Sequence, residues 1–323
     1  MNEPLLSVRD LKQHFDIGGG LFSAKKYVYA VDGMTFDVHA GETLGLVGES
    51  GCGKSTVGRT LLKLYEPTSG RIFFEGQDIT DLSVRKMANL RKEMQVIFQD
   101  PMESLNTRHT IGTILEEPYI IHRIGTPEEH RVWVEELLIK VGLPASAASR
   151  YPHEFSGGQR QRIGIARAIA LKPKLIVCDE AVSALDVSVQ SQIVNLLLEL
   201  QKEMNLALIF ITHDLSVVKH ISDRIAVMYL GKIVEIADAQ TLYHNPKHPY
   251  TQALISAVPQ PDPRYRKDRI ILKGDVPSPL SPPEGCHFNT RCHRVKDICY
   301  RERPALITIA ENNHQAACHL INL

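Results

Sequence analysis

The chain has 323 residues, of which 43% are hydrophobic and 23% charged, and its 37 acidic residues balance 37 lysines and arginines. This composition predicts a globular protein with one large domain and a smaller one. The zero net charge excludes a general attraction to nucleic acid or to an acidic bilayer. No apolar run approaches the roughly 18 residues of a transmembrane helix. The acidic opening MNEPLLSVRD is not that of a secretory signal.

Residues 5–15 and 27–38 are predicted to form two β-strands, separated by a loop that contains three consecutive glycines at 18–20. The next stretch, TLGLVGESGCGKSTVGRTL at 43–61, predicts a short apolar strand, a glycine-rich turn and a helix that begins near Lys54. The turn matches the P-loop pattern G-x-x-x-x-G-K-[ST]. In this pattern glycines let backbone N–H groups cradle phosphate, and the helix N-terminus favours the negative charge.

The P-loop predicts a nucleoside triphosphate as ligand. Lys54 is expected to reach the terminal phosphates, and the hydroxyl of Ser55 to ligate Mg²⁺. Phe15, Tyr27 and Tyr29 are candidates to stack on the adenine, and we select Phe15 because it ends the first strand just before the glycine loop. The predicted nucleotide-binding residues of the P-loop are Gly48, Glu49, Ser50, Gly51, Cys52, Gly53, Lys54, Ser55 and Thr56.

A β-hairpin is predicted at 70–80, and an apolar strand at 94–100 that carries Gln99 near its end. The pattern then becomes helical, which predicts a helical lobe over about 101–165. Within it, Ser156 is placed to cap a helix whose first residues, Gly157, Gly158 and Gln159, leave backbone N–H groups open for a second phosphate site. Two phosphate sites in one chain are best explained if the second binds the nucleotide of a partner.

Acidic and basic side chains follow two further apolar strands. KLIVCDE ends in Asp179, placed to hold Mg²⁺, and Glu180, placed as the general base for the attacking water. ALIFITH ends in His213. Because ligands bind at the carboxyl ends of strands in open α/β sheets, these residues and Gln99 are expected at one site.

Taken together, these motifs resemble those of the ATP-binding-cassette (ABC) ATPases. Gln99 matches the Q-loop, residues 156–159 the signature, residues 183–186 (SALD) the D-loop and His213 the switch histidine, in the family's order. The resemblance implies a head-to-tail dimer with ATP between the P-loop of one cassette and the signature of the other. It implies roles in the nucleotide site for Asp186, in γ-phosphate contact for His213, and in coupling Mg²⁺ and water to membrane helices for Gln99. One departure is Ala181, where relatives usually carry proline, which predicts a slightly more flexible loop around Glu180.

The tail resembles that of the ATPase subunits of oligopeptide and dipeptide importers, most closely the second of their two non-identical ATPases. The resemblance rests on NPKHPYTQALISAVP, with His248-Pro249-Tyr250, and on PSPLSPPEGCHFNTRC. It implies a cassette at 5–255 and an extension at 256–323 with a stiff proline-rich linker. It also implies ATP and Mg²⁺ as cofactors, and a paralogous ATPase, two membrane permeases and a peptide-binding protein as partners, at the cytoplasmic face of the inner membrane. Nickel and glutathione importers share the pattern.

Four cysteines crowd the tail with spacings that match neither zinc ribbons nor bacterial ferredoxins. They are Cys286, Cys292, Cys299 and Cys318. The resemblance implies a [4Fe–4S] cluster, with structural zinc or unliganded thiols as alternatives, and the neighbouring His287, His293 and His319 keep mixed ligation open. Cys178 lies in a core strand and is interpreted as structural, as is Cys52 despite its place in the P-loop.

The predicted fold class is α/β, a P-loop NTPase with a RecA-like core, an antiparallel β subdomain, an α-helical lobe and a small irregular cysteine-containing extension. Two other functions are the alternatives. A soluble ABC protein of translation or DNA repair would carry two cassettes or a long coiled coil, and neither is present in the sequence. A redox-sensing ATPase is compatible with the tail. The basic run RYRKDR at 264–269 is interpreted as solvated linker, with nucleic-acid binding as the alternative.

Overall fold

The computed structural model describes residues 3–18, 25–100, 104–258, 269–309 and 313–321. Internal contacts divide the chain into two units. The first unit comprises Met1–His39, Thr43–Asp81 and Ile211–Leu323, and the second comprises Ala40–Glu42 and Leu82–Phe210. Most of the RYRKDR run, part of the glycine loop at 18–20 and the start of the predicted lobe at 101–103 lie outside the described residues.

An antiparallel sheet in the first unit has four strands, in the order β2 (Tyr27–Val38), β1 (Leu6–Asp16), β4 (Ser69–Phe74) and β5 (Gln77–Asp78). Leu6, Val8 and Leu11 of β1 are fully buried, while Arg9 and Asp10 are exposed. This partial alternation is expected of a strand with one face on the core.

The strand that leads into the P-loop, β3 (Thr43–Val47), belongs to the second sheet of the first unit. It is buried along its whole length and runs parallel to β9 (Arg224–Tyr229), as expected of a strand covered on both faces. β9 pairs antiparallel with β10 (Lys232–Asp238), and the order continues through β12 (Gln315–Ala316) to β11 (Ile307–Thr308). The tail therefore adds two short strands to this sheet, which the sequence did not predict.

The helices of the first unit are short. They are α1 (Lys54–Leu61), α7 (Leu215–Ile221), α8 (Ala239–His244), α9 (Pro249–Ser256) and α10 (Ile298–Arg301). Two of them begin with a side-chain cap: Asp214 accepts from the backbone N–H of Ser216 at 2.7 Å, and His248 Nδ1 from that of Tyr250 at 3.1 Å. Such caps satisfy backbone donors that a helix leaves open at its first turn.

The second unit contains the helical lobe and parallel strands. β6 (Met94–Ile97) runs parallel to β7 (Leu175–Asp179), with Ile97 opposite Cys178. A capping box at Thr126 and Glu129 begins one of the lobe helices. The helices are α2 (Val84–Leu90), α3 (Ile111–His122), α4 (Pro127–Lys140), α5 (Gly157–Ile169) and α6 (Val187–Met204), with 3₁₀ turns at Ala145–Ser149 and Pro152–Glu154. β8 (Ala207–Thr212) runs from the second unit into the first.

The predicted fold class is confirmed. Parallel strands, an antiparallel sheet and a helical lobe are all present. Both ends of β3 and the first residue of α1 agree with the sequence prediction. The strand predicted at 94–100 ends at Ile97, so Gln99 lies two residues beyond it. Among the described residues, no helix has both the length and the apolar character needed to cross a bilayer. The boundary between a cassette at 5–255 and an extension at 256–323 stays a prediction.

Candidate functional site

The P-loop is closed tightly around its glycines. Gly53 has φ +104°, and a Cβ atom there would lie 1.9 Å from the carbonyl oxygen of Ala30. A Cβ at Gly48 would lie 2.2 Å from the carbonyl oxygen of Met228. Real side chains never come so close to backbone atoms, so both positions require glycine for close packing, and Gly53 also for its backbone conformation.

Lys54 begins α1 and turns its ammonium group back onto the loop. Its Nζ donates to the carbonyl oxygens of Gly48 at 2.8 Å and Glu49 at 3.1 Å, and the residue is only 4% exposed. The sequence predicts that Lys54 contacts the terminal phosphates, and the charge of Lys54 lies over the phosphate-binding loop. The geometry concentrates positive charge from the ammonium and from the N-terminus of α1 at one point.

Glu49 has contacts that sequence reasoning missed. Its backbone N–H donates to Tyr250 Oη at 3.0 Å, and its carboxylate accepts from Arg291 Nη1 at 2.6 Å and Nη2 at 3.0 Å. Tyr250 belongs to the His-Pro-Tyr segment, and Arg291 precedes Cys292 in the tail. Both residues lie in segments that carry the resemblance to peptide importers, and their polar side chains were the available signal for a contact with the P-loop.

The predicted aromatic residues and the switch histidine of the first unit lie near strand ends. Phe15 is half-buried near the end of β1, and its ring packs edge-on against Tyr65 with 5.3 Å between centroids. Tyr29 of β2 packs against His14 at 4.6 Å. His213 directly follows β8 and is exposed, the position predicted for it.

In the second unit, Gln99 and Glu180 meet. Gln99 Nε2 donates to Glu180 Oε2 at 3.0 Å. Asp179 ends the buried strand β7 and is 4% exposed. Glu180 has φ +50°, a left-handed conformation that is uncommon for a residue with a side chain and that often occurs at functional sites. Its carbonyl oxygen accepts from both the backbone N–H and the Oγ of Ser183, at 3.1 and 3.0 Å, and these bonds hold the turn that contains Ala181.

The signature segment begins α5 as predicted. Ser156 Oγ accepts from the backbone N–H of Gln159 at 3.3 Å, and Gln159 Oε1 accepts from that of Ser156 at 3.0 Å, a complete capping box. The structure adds a reason for Gly158, because a Cβ there would lie 2.4 Å from Val189 Cγ1 of α6. The side chain of Asp186, at the N-terminus of α6, makes no capping hydrogen bond to that helix.

A buried carboxylate connects β10 to the His-Pro-Tyr segment and the tail. Glu235 is 0% exposed and accepts from the backbone N–H groups of Lys247 at 2.7 Å and His248 at 2.8 Å, and from His314 Nε2 at 2.7 Å. A buried charge is tolerated when it is paired and fully hydrogen-bonded. Glu235 therefore fixes the start of α9, and with it the position of Tyr250, against the first unit's second sheet.

Acid should destabilise the folded protein through His248. Burial lowers the pKa of His248 from its ordinary 6.5 to about 4, against a smaller opposite effect of Glu235. Between these two values the unfolded chain binds more protons, so the free energy of unfolding falls as pH falls from about 6.5 to about 4, with ~3 kcal/mol from this residue. Urea unfolding across this range measures the slope.

The variant that tests this assignment is His248→Asn, whose side-chain oxygen can still cap α9. That variant should show a flatter pH dependence by the amount assigned to His248. An unchanged slope in the variant would contradict the assignment.

Two of the four tail cysteines are joined through the backbone, because the N–H of Cys286 donates to the carbonyl of Cys299 at 2.8 Å. Burial raises the pKa of the Cys286 thiol to about 11, and the charges of Cys299, Cys318 and Cys292 raise it further. Within the described part of the chain, no group of three or more His, Cys, Asp or Glu side chains has the geometry of a metal site. The donor set has the chemistry of an iron–sulfur or zinc site, without a preformed metal geometry. Burial raises the pKa of Cys178 to about 12, in agreement with a structural role.

Comparison with known proteins gives two family models, one that covers the cassette motifs and one that covers the tail motifs. Residues 31–183 match a family model described as ABC transporter, and residues 234–299 match one described as the C-terminal region of oligopeptide/dipeptide transporters. The chain is 56% identical to the oligopeptide transport ATP-binding protein AppF of Bacillus subtilis, covering 98% of both chains. It is 51% identical to a putative peptide import ATP-binding protein of Brucella ovis, covering 97% of both.

Two solved structures are similar to the chain at 27% identity and a TM-score of 0.65. One is cbiO1 of Clostridium perfringens, described as part of the ABC transporter complex cbiONQ, which matches 76% of this chain and 92% of that one. The other is the dimeric ATP-binding cassette MJ0796 in a post-hydrolysis state with ADP and phosphate, which matches 72% of this chain and 98% of that one.

Proposed function

The chain belongs to the ABC transporter family of ATPases, and from that premise we propose that it powers the import of oligopeptides or dipeptides through a membrane complex. Relatives that span nearly the whole chain, at 51–56% identity, are named for oligopeptide transport or peptide import. The tail model carries the same description. The observation that carries the ATPase part is the P-loop, where Lys54 Nζ lies on two loop carbonyls and Gly53 permits a backbone path closed to other residues.

In the first unit, the loop amides and Lys54 bind the phosphates and stabilise the charge that develops on the transferred γ-phosphoryl group. Ser55 offers a hydroxyl to Mg²⁺, a hard cation that prefers oxygen ligands. His213, at the end of β8, contacts the γ-phosphate, and Phe15 stacks on the adenine. These roles combine the resemblance with the positions that the structure gives each residue.

In the second unit, Glu180 is the general base that takes a proton from the attacking water, and Gln99 orients its carboxylate through their 3.0 Å hydrogen bond. Asp179 offers a buried carboxylate to Mg²⁺, which when bound neutralises phosphate charge. The residues Ser156 to Gln159 and Asp186 serve the nucleotide of a partner cassette. The open N-terminus of α5, with Ser156 already satisfying the Gln159 N–H, supports this role.

The partners follow from the family. Two membrane permeases and a peptide-binding protein complete an importer of this kind, and the chain works at the cytoplasmic face of the inner membrane. We propose a paralogous ATPase as the second cassette, since the sequence resembles one of a pair of non-identical subunits. Nickel and glutathione are the alternative cargoes.

Transport by the complete complex in liposomes tests the cargo. ATP inside the vesicles should drive uptake of a labelled di- or tetrapeptide delivered by the complex's own binding protein, and uptake should stop with Lys54→Ala. ATP-dependent uptake of nickel or glutathione without peptide uptake would assign one of the alternative cargoes. ATP hydrolysis without uptake of any of them would contradict the importer proposal.

The four tail cysteines are proposed to hold a [4Fe–4S] cluster. Support comes from the 2.8 Å backbone hydrogen bond between Cys286 and Cys299 and from the thiolate chemistry that such clusters require. The backbone N–H of Leu320 lies 3.5 Å from Cys318 Sγ, a contact of the kind that tunes cluster sulfurs. When present, the cluster would supply a redox-active link among four separate segments of the tail.

Anaerobic purification followed by iron, zinc and sulfide analysis tests the cluster. We expect about four irons and four sulfides per chain and broad absorption near 400 nm, lost in a Cys299→Ser variant. One zinc and no iron per chain would show that the cysteines form a structural zinc site and not an iron–sulfur cluster. If neither iron nor zinc is found, the cysteines are unliganded thiols and the proposal is contradicted.

A further inference from the structure

The P-loop carries a negative charge of its own. Glu49 directly follows Gly48, and its backbone carbonyl shares the Lys54 ammonium with that of Gly48. A carboxylate beside a triphosphate site repels the ligand, and the repulsion is stronger where water is partly excluded. The Glu49 side chain is only 26% exposed, so solvent screens it incompletely.

Arg291 neutralises this carboxylate. Two guanidinium nitrogens donate to the two oxygens of Glu49, at 2.6 and 3.0 Å, and the Arg291 side chain is 8% exposed. Such a two-point pair fixes direction as well as charge, which a lysine cannot do. Together with the Tyr250 hydroxyl on the Glu49 N–H, it holds both the backbone and the side chain of the first loop residue.

The arginine is itself held by the cysteine-bearing segment. The backbone N–H of Arg291 donates to the carbonyl of Phe288 at 3.1 Å, and that of Cys286 to the carbonyl of Cys299 at 2.8 Å. The Phe288 ring is 1% exposed and packs against both Tyr229, at 5.2 Å between centroids, and Tyr250, at 5.3 Å. The tail therefore reaches Glu49 by two routes, one through Arg291 and one through Tyr250.

We propose that Arg291 is a positioning residue for nucleotide binding, which removes the charge penalty of Glu49 and ties ATP affinity to the folded state of the cysteine-bearing tail. The proposal rests on the proposed function, because it assumes that the P-loop binds ATP. It assigns to the tail a direct effect on the nucleotide site within a single chain.

Equilibrium binding of ATP and ADP to the full chain tests this assignment in four variants. These are Arg291→Met, Arg291→Lys, Glu49→Gln and the double variant Glu49→Gln/Arg291→Met. Arg291→Met should weaken ATP binding about tenfold, and ADP binding less, because ATP carries more negative charge. The double variant should recover ATP affinity to within about threefold of wild type, since the uncompensated carboxylate is gone. Arg291→Lys keeps the charge without the two-point geometry and should lie between wild type and Arg291→Met.

Arg301→Met is the matched control, an exposed arginine of the same segment, and should bind ATP like wild type. If Arg291→Met does not fold, Arg291→Lys and the double variant carry the test. ATP and ADP weakened equally, with no recovery in the double variant, would overturn the electrostatic role, as would unchanged binding in Arg291→Met. If the wild-type chain fails to bind ATP, the proposed function itself is wrong, which separates the two failures.

Discussion

Replacing Glu180 with Gln should leave ATP binding intact and lower ATP turnover by the assembled complex about 10²–10⁴-fold. An amide has nearly the same shape as the carboxylate but cannot accept the proton of the attacking water. Its oxygen can still accept the Gln99 Nε2 hydrogen bond seen at 3.0 Å. Glutamine also tolerates the φ of +50° as well as glutamate does. Steady-state phosphate release and a separate nucleotide-binding assay measure the two quantities.

The control is Glu199→Gln, which removes an exposed carboxylate from α6 in the same unit. Its turnover should match wild type. Turnover close to wild type in Glu180→Gln would remove Glu180 from the catalytic role. A parallel loss of ATP binding would show that the residue acts in binding instead, so both measurements are needed.

Replacing Gly53 with Ala should have the largest combined effect on stability and nucleotide binding. The new Cβ would lie 1.9 Å from the Ala30 carbonyl oxygen, at a φ of +104° that disfavours side chains. We expect the free energy of unfolding to fall by ~3 kcal/mol or more. ATP affinity should fall about 100-fold, because the loop amides and Lys54 would be displaced. Urea unfolding and equilibrium ATP binding report the two effects.

Gly51→Ala separates close packing from backbone strain. Gly51 also has positive φ, +77°, but a Cβ there would meet nothing within 4 Å. Only the conformational penalty of ~1–2 kcal/mol should remain. Equal destabilisation of the two variants would show that the contact with Ala30 is relieved at little cost, contrary to the packing argument.

Local sequence determined the elements whose signals lie within a few residues. Three such elements are the apolar run of β3, the glycines and lysine of the P-loop, and the Ser156 cap. Each depends on neighbouring residues, so hydrophobic periodicity and turn chemistry were sufficient to predict it. The end of the strand before Gln99 was predicted a few residues too late. β6 ends at Ile97, and propensity rules place strand ends only to within a few residues.

Tertiary structure alone decided which distant residues serve the loop. Glu49 and Arg291 are 242 positions apart, and Glu49 and Tyr250 are 201 apart. No periodic pattern connects such residues, because the contacts arise only after β9, β10 and the tail strands form one sheet. The same holds for Glu235, whose burial and partners make a charged residue tenable at the centre of a strand.

The sequence by itself therefore determined the chemistry of this protein, that of an ABC ATPase with a phosphate-binding loop, two carboxylates at a strand end and a cysteine-rich tail. These residue types act through short-range geometry that their spacing encodes. Only the tertiary structure decided that the tail is packed into the nucleotide-binding unit and that Arg291 neutralises the loop's own carboxylate. The physical reason is that charge pairing and aromatic packing depend on distance in space, which the order of residues along the chain does not specify.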